Sequence, residues 1–378
     1  MKFTTTVLSV AAGLALAGCD IHPRETAQAG ATAATPLQAP VQAPVASAPP
    51  VMTPVAIEAS LPPELAPAAA SANPLAATID AAAWSSSAAT ATTRRDMLIR
   101  AQVLLDRAHF SPGVIDGRDG ENVRNAISAF EGANSLPQDG RLDADVWAKL
   151  TSDSTPATMD YTISAVDAQG PYTPEIPKDY TQMSKLERLG YAGPLEALAE
   201  RFHMSEGLLQ ALNPGVDFAS AGAKILVARI AAAPLATKVA KIEVDKARKQ
   251  VRAFDATGGL LATYPATVGS ADLPTPSGEL AVRTIAPEPT WTYDPSRLHF
   301  GDKSAGKLTI KAGPNNPVGA VWIDLTRDTY GIHGAPQPEQ VGKAASHGCV
   351  RLTNWDAVQL SKSVQKGARV VFVGQAAG

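Results

Sequence analysis

Cysteine is nearly absent from this 378-residue chain, which has two, Cys19 and Cys349. A disulfide framework is thereby excluded as the organising device of the fold. Net charge is also scarce: 33 basic residues stand against 36 acidic ones, a formal balance of −3. So even a balance announces no polyanion, and a nucleic-acid partner is not expected. Aromatic residues make up 5% of the chain and hardly occur between Ile21 and Thr93, where Ala, Pro, Ser and Thr dominate. Such a stretch cannot bury enough apolar surface to offset chain entropy. Long hydrophobic runs are missing too. The apolar run from Val7 to Ala17, after the basic Lys2, is too short for a permanent membrane span and suits a secretory signal.

What is present divides the chain. Residues 1–18 read as a lipoprotein signal peptide, because Leu16-Ala17-Gly18-Cys19 resembles a bacterial lipobox. That resemblance implies cleavage before Cys19, diacylglycerol on its sulfur and a periplasmic protein anchored to a membrane, inner or outer. An ordinary signal with an incidental cysteine is the alternative. Residues 19–93 then form a disordered Ala/Pro-rich tether, able to reach on the order of 100 Å. From 94 to 152 the spacing changes. Leu98, Ala101, Gln102 and Leu105 fall at i, i+3, i+4 and i+7, and Val123, Ala126, Ile127 and Phe130 repeat the pattern. A third short helix carries Val146, Trp147 and Leu150, and the turns Asp116-Gly117 and Asp139-Gly140 separate the three. This resembles a small three-helix peptidoglycan-binding domain, with Glu131 where that family usually has Gln; the alternative is a structural spacer.

Residues 159–230 contain a helix opened by Pro194, a second capped by Ser205 and ended by Asn213-Pro214-Gly215, then the apolar run Ile225-Leu226-Val227. This resembles the back half of a LysM module, and the front half, around Tyr161, fits poorly. A LysM-like α/β linker domain is expected, with or without a glycan ligand of its own.

After Pro234 the period falls to two. Ala240, Ile242 and Val244 alternate with Lys241, Glu243 and Asp245, and further strands are predicted at 250–254, 260–267, 279–284, 321–325 and 369–373. Thr353 is placed to cap a helix over 354–365, with Asp356 in capping-box position and Gly367 just past its end. Within this mainly-β region His333 and Cys349 stand sixteen positions apart, each beside a glycine. A thiol is a useful nucleophile as thiolate, so it needs a base such as His333. Gly348 clears space beside the sulfur and leaves the Gly348 and Cys349 backbone N–H groups to hold an oxyanion. Acyl transfer through a thioester follows. The histidine, Ser346-His347-Gly348-Cys349-Val350-Arg351, Pro274-Thr275-Pro276-Ser277-Gly278-Glu279 and Gly313-Pro314-Asn315-Asn316-Pro317-Val318-Gly319 together resemble the YkuD-type L,D-transpeptidase catalytic domain, over residues 237–375.

The resemblance implies a β-sandwich with Cys349 at the mouth of a groove. It implies His333 as the base, oriented by the backbone oxygen of Gly334, and no acidic third member. His347 remains a rival base, since i and i+2 side chains share a face of an extended segment. His347 and Ser346 are otherwise candidates for substrate contact, and Ser346 for hydrogen bonds within its loop. Arg351 either clamps a substrate carboxylate or pairs with an internal acid. No metal is expected, because His333, His347 and Cys349 lack the paired spacing of a zinc site, and no cofactor. The implied function is 3-3 cross-linking of peptidoglycan stem tetrapeptides. Transfer to a protein lysine or to water, and a non-catalytic tether from membrane to wall, are the alternatives.

Overall fold

The tether expected over 19–93 stops short of its predicted end. Asn73 accepts a hydrogen bond from the Leu75 N–H at 2.9 Å and Pro74 occupies the first turn, which starts helix α1 (Pro74–Asp80). Ala76 and Ile79 of α1 are fully buried in a core shared with the linker domain, and the Asp80 carboxylate accepts from the Thr158 N–H and hydroxyl, both at 3.0 Å. Two apolar residues one turn apart suffice when a ready-made core receives them, which composition does not reveal. The computed structural model describes residues 71, 73–87, 90–230, 234–269, 275–297, 303–344, 346 and 348–375. The signal segment, Cys19, His347 and the tether up to residue 70 lie outside the described residues. Among the described residues no helix is long and apolar enough to cross a membrane.

Three helices follow, α2 (Ala91–Arg107), α3 (Glu121–Ala133) and α4 (Ala144–Leu150), capped by Thr90, by the Gly120 backbone and by Asp143. Their predicted apolar faces are buried. Gln102 is buried with them because its amide ties down the first Asp-Gly turn: its oxygen accepts from the Gly117 N–H at 2.8 Å and its nitrogen donates to Asp116 at 2.9 Å. Glu131 does the same for the second turn, accepting from the Gly140 N–H at 2.9 Å. Both glycines have φ of 70°, the left-handed region. Glu131 is thus a buried structural residue here, with no side-chain surface to offer a ligand.

The next domain pairs β1 (Thr158–Thr162) antiparallel with β2 (Lys224–Ala228). Between them lie α5 (Ala165–Gln169), α6 (Tyr180–Met183), α7 (Pro194–Arg201) and α8 (Glu206–Leu212). The front strand that fitted poorly is therefore formed. It was obscured because residues 163–193 separate it from α7.

The C-terminal domain is one eight-stranded sheet. Its strands are β3 (Val239–Asp245), β4 (Gln250–Phe254), β5 (Leu260–Pro265), β6 (Gly278–Pro287), β9 (Val321–Leu325), β10 (Gly331–His333), β11 (Val350–Arg351) and β12 (Val364–Val373). A separate hairpin-like pair, β7 (Trp291–Tyr293) and β8 (Leu308–Ile310), stands apart from it. Sheet order is β11-β10-β9-β6-β12-β3-β4-β5. The sheet curls until its ends meet: just past β5, Thr267 exchanges two 2.9 Å backbone hydrogen bonds with Arg351 on β11. The expected sandwich accordingly takes the form of a single curled sheet whose two halves face one core, because strong twist lets one sheet cover its own apolar face. Ile242, Val244, Val251, Ile323 and Ile332 fill that core, joined by Ala357 and Leu360 of helix α9 (Asn354–Ser363).

Two details of α9 differ from expectation. It ends at Ser363, and Gly367 (φ 86°) lies inside β12, where the register with β3 shifts between Val364 and Arg369. Only half of the capping box forms. Thr353 accepts from the Asp356 N–H at 3.2 Å, but the Asp356 carboxyl group is engaged by the Ser111 hydroxyl at 3.0 Å. The three described domains form one compact unit. His109 and Ser111 bond to Thr263 at 2.9 Å each and cover the outer edge of β5.

Candidate active site

Strand register assembles the site. β10 lies between β9, antiparallel, and β11, parallel, with His333 opposite Trp322 on one side and Arg351 on the other. Residues in register share a sheet face, and Cys349, two positions before Arg351, shares it too. Extending the β10–β11 register by one step sets Gly331 beside Cys349. Cys349, His333, Arg351 and Trp322 all line one cavity of about 590 Å³. The remaining wall includes Tyr180 and Trp291.

His333 is buried, and its Nδ1 lies 2.7 Å from the Gly334 carbonyl oxygen. A carbonyl only accepts, so Nδ1 carries the proton and Nε2 is the basic nitrogen. The Trp322 indole stacks on the imidazole with centroids 5.4 Å apart and planes 26° from parallel. Gly331 is needed for this: a Cβ there would lie 2.6 Å from Trp322 Cζ2. Burial lowers the His333 pKa to about 3; the Arg351 charge adds to the effect, and the Gly334 and Val318 backbones oppose it. Burial also pushes the Cys349 thiol up, against the Gly331 backbone and the Arg351 charge. The resting pair is therefore a neutral thiol and a neutral imidazole. Cys349 itself is half-buried, with Sγ 3.6 Å from the Thr329 carbonyl oxygen.

Two expectations change here. The Gly348 N–H is not free for an oxyanion, because it donates to the Ser346 hydroxyl oxygen at 3.1 Å. Ser346 is spent within its loop as well. Its hydroxyl donates to the Cys349 carbonyl oxygen at 2.6 Å, its N–H donates to Val268 at 2.9 Å, and it is only 4% exposed, so it has no group left for substrate. Gly348 is required for conformation instead: its φ is 117° and a Cβ would meet the Tyr330 hydroxyl at 2.8 Å. The Cys349 N–H has no partner among the described residues.

Arg351 lines the cavity and has no carboxylate partner among the described residues, and its buried Nε has no acceptor. The internal-acid alternative thus has no acid to name. Among the described residues no cluster of three or more His, Cys, Asp or Glu is placed to hold a metal.

Supporting residues went unnoticed in the sequence. The Thr275 hydroxyl accepts from the Gly269 N–H at 2.7 Å and donates to the Gly348 carbonyl at 2.8 Å, which fixes the peptide before the cysteine. Asn354, the first residue of α9, accepts from the Ala320 N–H at 2.9 Å, and a Cβ on Gly334 would come within 2.3 Å of its Oδ1. Thr275 lies inside the matched motif, and its position there was the available signal.

Comparison with known proteins identifies the family. Residues 240–372 match the L,D-transpeptidase catalytic domain model, and residues 94–150 match a peptidoglycan binding domain model. The YkuD protein of Bacillus licheniformis, an L,D-transpeptidase by name, is 30% identical over 178 residues, 47% of this chain and 91% of that protein. Escherichia coli YbiS, likewise named, is 29% identical over 191 residues, 49% of this chain and 62% of that protein. A solved L,D-transpeptidase from Mycobacterium smegmatis aligns at 21% identity with a TM-score of 0.29, covering 35% of this chain and 58% of that one. The chain belongs to the YkuD family of L,D-transpeptidases.

Proposed function

We propose that the protein cross-links peptidoglycan by a cysteine-dependent reaction, joining the third residues of neighbouring stem peptides. The observation that carries this is the register of Trp322, His333 and Arg351 across three strands, with Cys349 on the same face of an open cavity. Cys349 Sγ attacks the carbonyl of the third residue of a tetrapeptide as the thiol proton passes to His333 Nε2. Because the resting pair is neutral, His333 works as a general base during attack rather than as half of a standing ion pair. The Cys349 N–H is the backbone donor left for the oxyanion. Collapse breaks the amide bond, and the terminal D-amino acid leaves with the proton from His333. A neighbouring stem's amine, deprotonated through His333, then attacks the thioester and restores the thiol.

Gly334 orients the base through its carbonyl oxygen, and Arg351 binds a substrate carboxylate. The helical domain over 94–150 holds the enzyme to its polymeric substrate, and the β1-α7-α8-β2 unit is LysM-like in order. Lipid on Cys19 would hold the protein at a periplasmic membrane face. Fatty-acid labelling that persists in Cys19→Ala would remove that anchor from the scheme.

The deciding assay uses tetrapeptide-bearing muropeptides and imipenem. Wild-type protein should yield 3-3 dimers and a covalent imipenem adduct by intact mass, and Cys349→Ala neither. Dimers undiminished in Cys349→Ala would end the cysteine mechanism. Products carrying lysine, or hydrolysed tripeptide alone, would keep the acyl-enzyme and reassign the acceptor.

A further inference from the structure

Part of the cavity wall does not come from the catalytic domain. Residues 163–193, between β1 and α7, leave the two-stranded sheet and grip the loop before β9. The Leu189 N–H donates to the Ala312 carbonyl at 2.9 Å, and the Asn315 N–H returns a bond to Leu189 at 3.0 Å. The Asn315 amide donates to the Gly190 carbonyl at 3.0 Å and to Glu196 at 2.8 Å, while Arg188 pairs with Glu288 at 2.6 Å. The approach is close enough to demand glycine: Gly313 has φ 144°, and a Cβ there would lie 2.0 Å from the Leu189 oxygen.

This grip sets α6 against β8 and brings Tyr180 to the cavity that holds Cys349. The Tyr180 ring meets Trp291 edge-on at 5.1 Å and lies 4.9 Å from Tyr293, so rings from two domains line the cavity at Tyr180 and Trp291 while Tyr293 is buried behind them. Packing fixes the ring, yet the Tyr180 hydroxyl has no hydrogen-bond partner among the described residues. Arg351 lines the same cavity, and its guanidinium has no carboxylate partner among the described residues. Tyr180 and Arg351 lie within electrostatic reach of each other, and burial holds the phenol protonated, so both present donors. Asp294 and Asp328 also line the cavity, but they are engaged by the Ser296 hydroxyl and by Arg297; on the Tyr180 and Arg351 side, donors without a carboxylate partner suit an anion.

We propose that Tyr180 is a specificity-determining residue, whose hydroxyl acts with the Arg351 guanidinium to bind a peptide carboxylate within one residue of the attacked carbonyl. The linker domain then helps select the peptide, rather than only spacing the two flanking domains. This rests on the transpeptidase reading for the position of the attacked carbonyl. Two carboxylates meet the description: the C-terminal one of the leaving residue, and a side-chain one on the third residue where that is a carboxylated diamino acid.

The test uses the full chain carrying Cys349→Ser, which binds without turnover, and calorimetry with three synthetic tetrapeptides. One has both carboxylates free, one a C-terminal carboxamide and one a side-chain carboxamide. One of the two amidated peptides should bind about tenfold more weakly, and which one it is identifies the carboxylate. Tyr180→Phe, which keeps the ring and its packing, should shrink that ratio to about threefold. With Cys349 restored, Tyr180→Phe should raise KM for the free peptide severalfold, hold kcat within about twofold and leave the KM of the discriminated amide unmoved. An unchanged affinity ratio in Tyr180→Phe, or a loss confined to kcat, overturns the proposal. If Cys349 is acylated by none of the peptides, the transpeptidase reading fails while the affinity ratio still decides the role of Tyr180; if none of them binds, both fail.

Discussion

Two places in the molecule hold titratable groups far from their usual ranges, and they differ in what is left over. At the cavity, burial lowers His333 to about 3 and raises the Cys349 thiol. Where the N-terminal turn of α9 meets the other two domains, burial raises Glu200 to about 8 and Asp356 to about 7. At this junction the titratable groups are consumed by structure, and the donor left without a partner there, Trp355 Nε1, is buried. Asp356 engages Ser111 at 3.0 Å, Glu200 accepts from the Asn354 amide at 3.0 Å, and His203 meets Asp106 at 2.8 Å while stacking on Trp355 at 5.0 Å. At the cavity the Cys349 N–H and the Tyr180 hydroxyl remain unspent among the described residues, and the Arg351 guanidinium has no carboxylate partner there. A displaced pKa therefore reports burial in both places. Unused donors facing a cavity are what separate chemistry from scaffold.

The sharpest break in this contrast comes from paired substitutions. His333→Gln should lower the rate of Cys349 acylation by about 10²–10⁴-fold, whereas Glu200→Gln should leave it within about threefold. Intact-mass time courses with imipenem read both, and similar losses in the two variants would erase the distinction. Gly331→Ala comes next. Its new methyl would push the Trp322 ring off His333, with an expected loss of about tenfold or more, the scale set by misplacing a catalytic group by a fraction of an ångström. A melting temperature close to wild type would assign that loss to the site.

The pH behaviour should also divide the two places. His333 stays neutral down to about pH 3, so the rate of acylation should be flat from pH 5 to 7. A limb near 6.5 would mean an ordinary histidine. At the junction the sign is opposite in consequence. Glu200 and Asp356 have folded values raised above the usual 4.5 and 3.8, so the folded state holds these protons more tightly than the unfolded chain. Their stabilising contribution is complete below about pH 4 and is lost as pH rises through about 7 and about 8, at up to roughly 1.4 kcal/mol per pH unit for each group. Denaturant midpoints should accordingly fall between pH 5 and 8, less steeply in Glu200→Gln. The smallest effect belongs to Ser111→Ala, which removes one hydrogen bond to a buried carboxyl group and should cost about 1–2 kcal/mol without altering acylation.

The proposed pair, His333 and Cys349, was legible because its signals are local. Glycines flank His333 and Cys349 in the chain itself, and the period-two pattern around Ile242 and Val244 matches the burial of those residues. The helical faces of α2 and α3 were visible for the same reason, since four residues within eight positions define them. The expected oxyanion donor on Gly348 failed at a hydrogen bond two residues long. Periodicity does not say which of several nearby acceptors a free N–H will choose.

The amino-acid order by itself determined the apolar faces of α2 and α3 and the period-two core of the C-terminal sheet, and it singled out His333 and Cys349 with Gly331 and Gly348 beside them. Only the tertiary structure decided that Tyr180 enters a cavity built mostly by another domain, that Asp356 turns to Ser111 across 245 positions, and that Glu200 reaches Asn354 across 154. The reason is physical. Backbone preference and side-chain period act over about one or two turns, whereas a partner far along the chain is chosen when whole domains dock and each buried polar group must find something to bond.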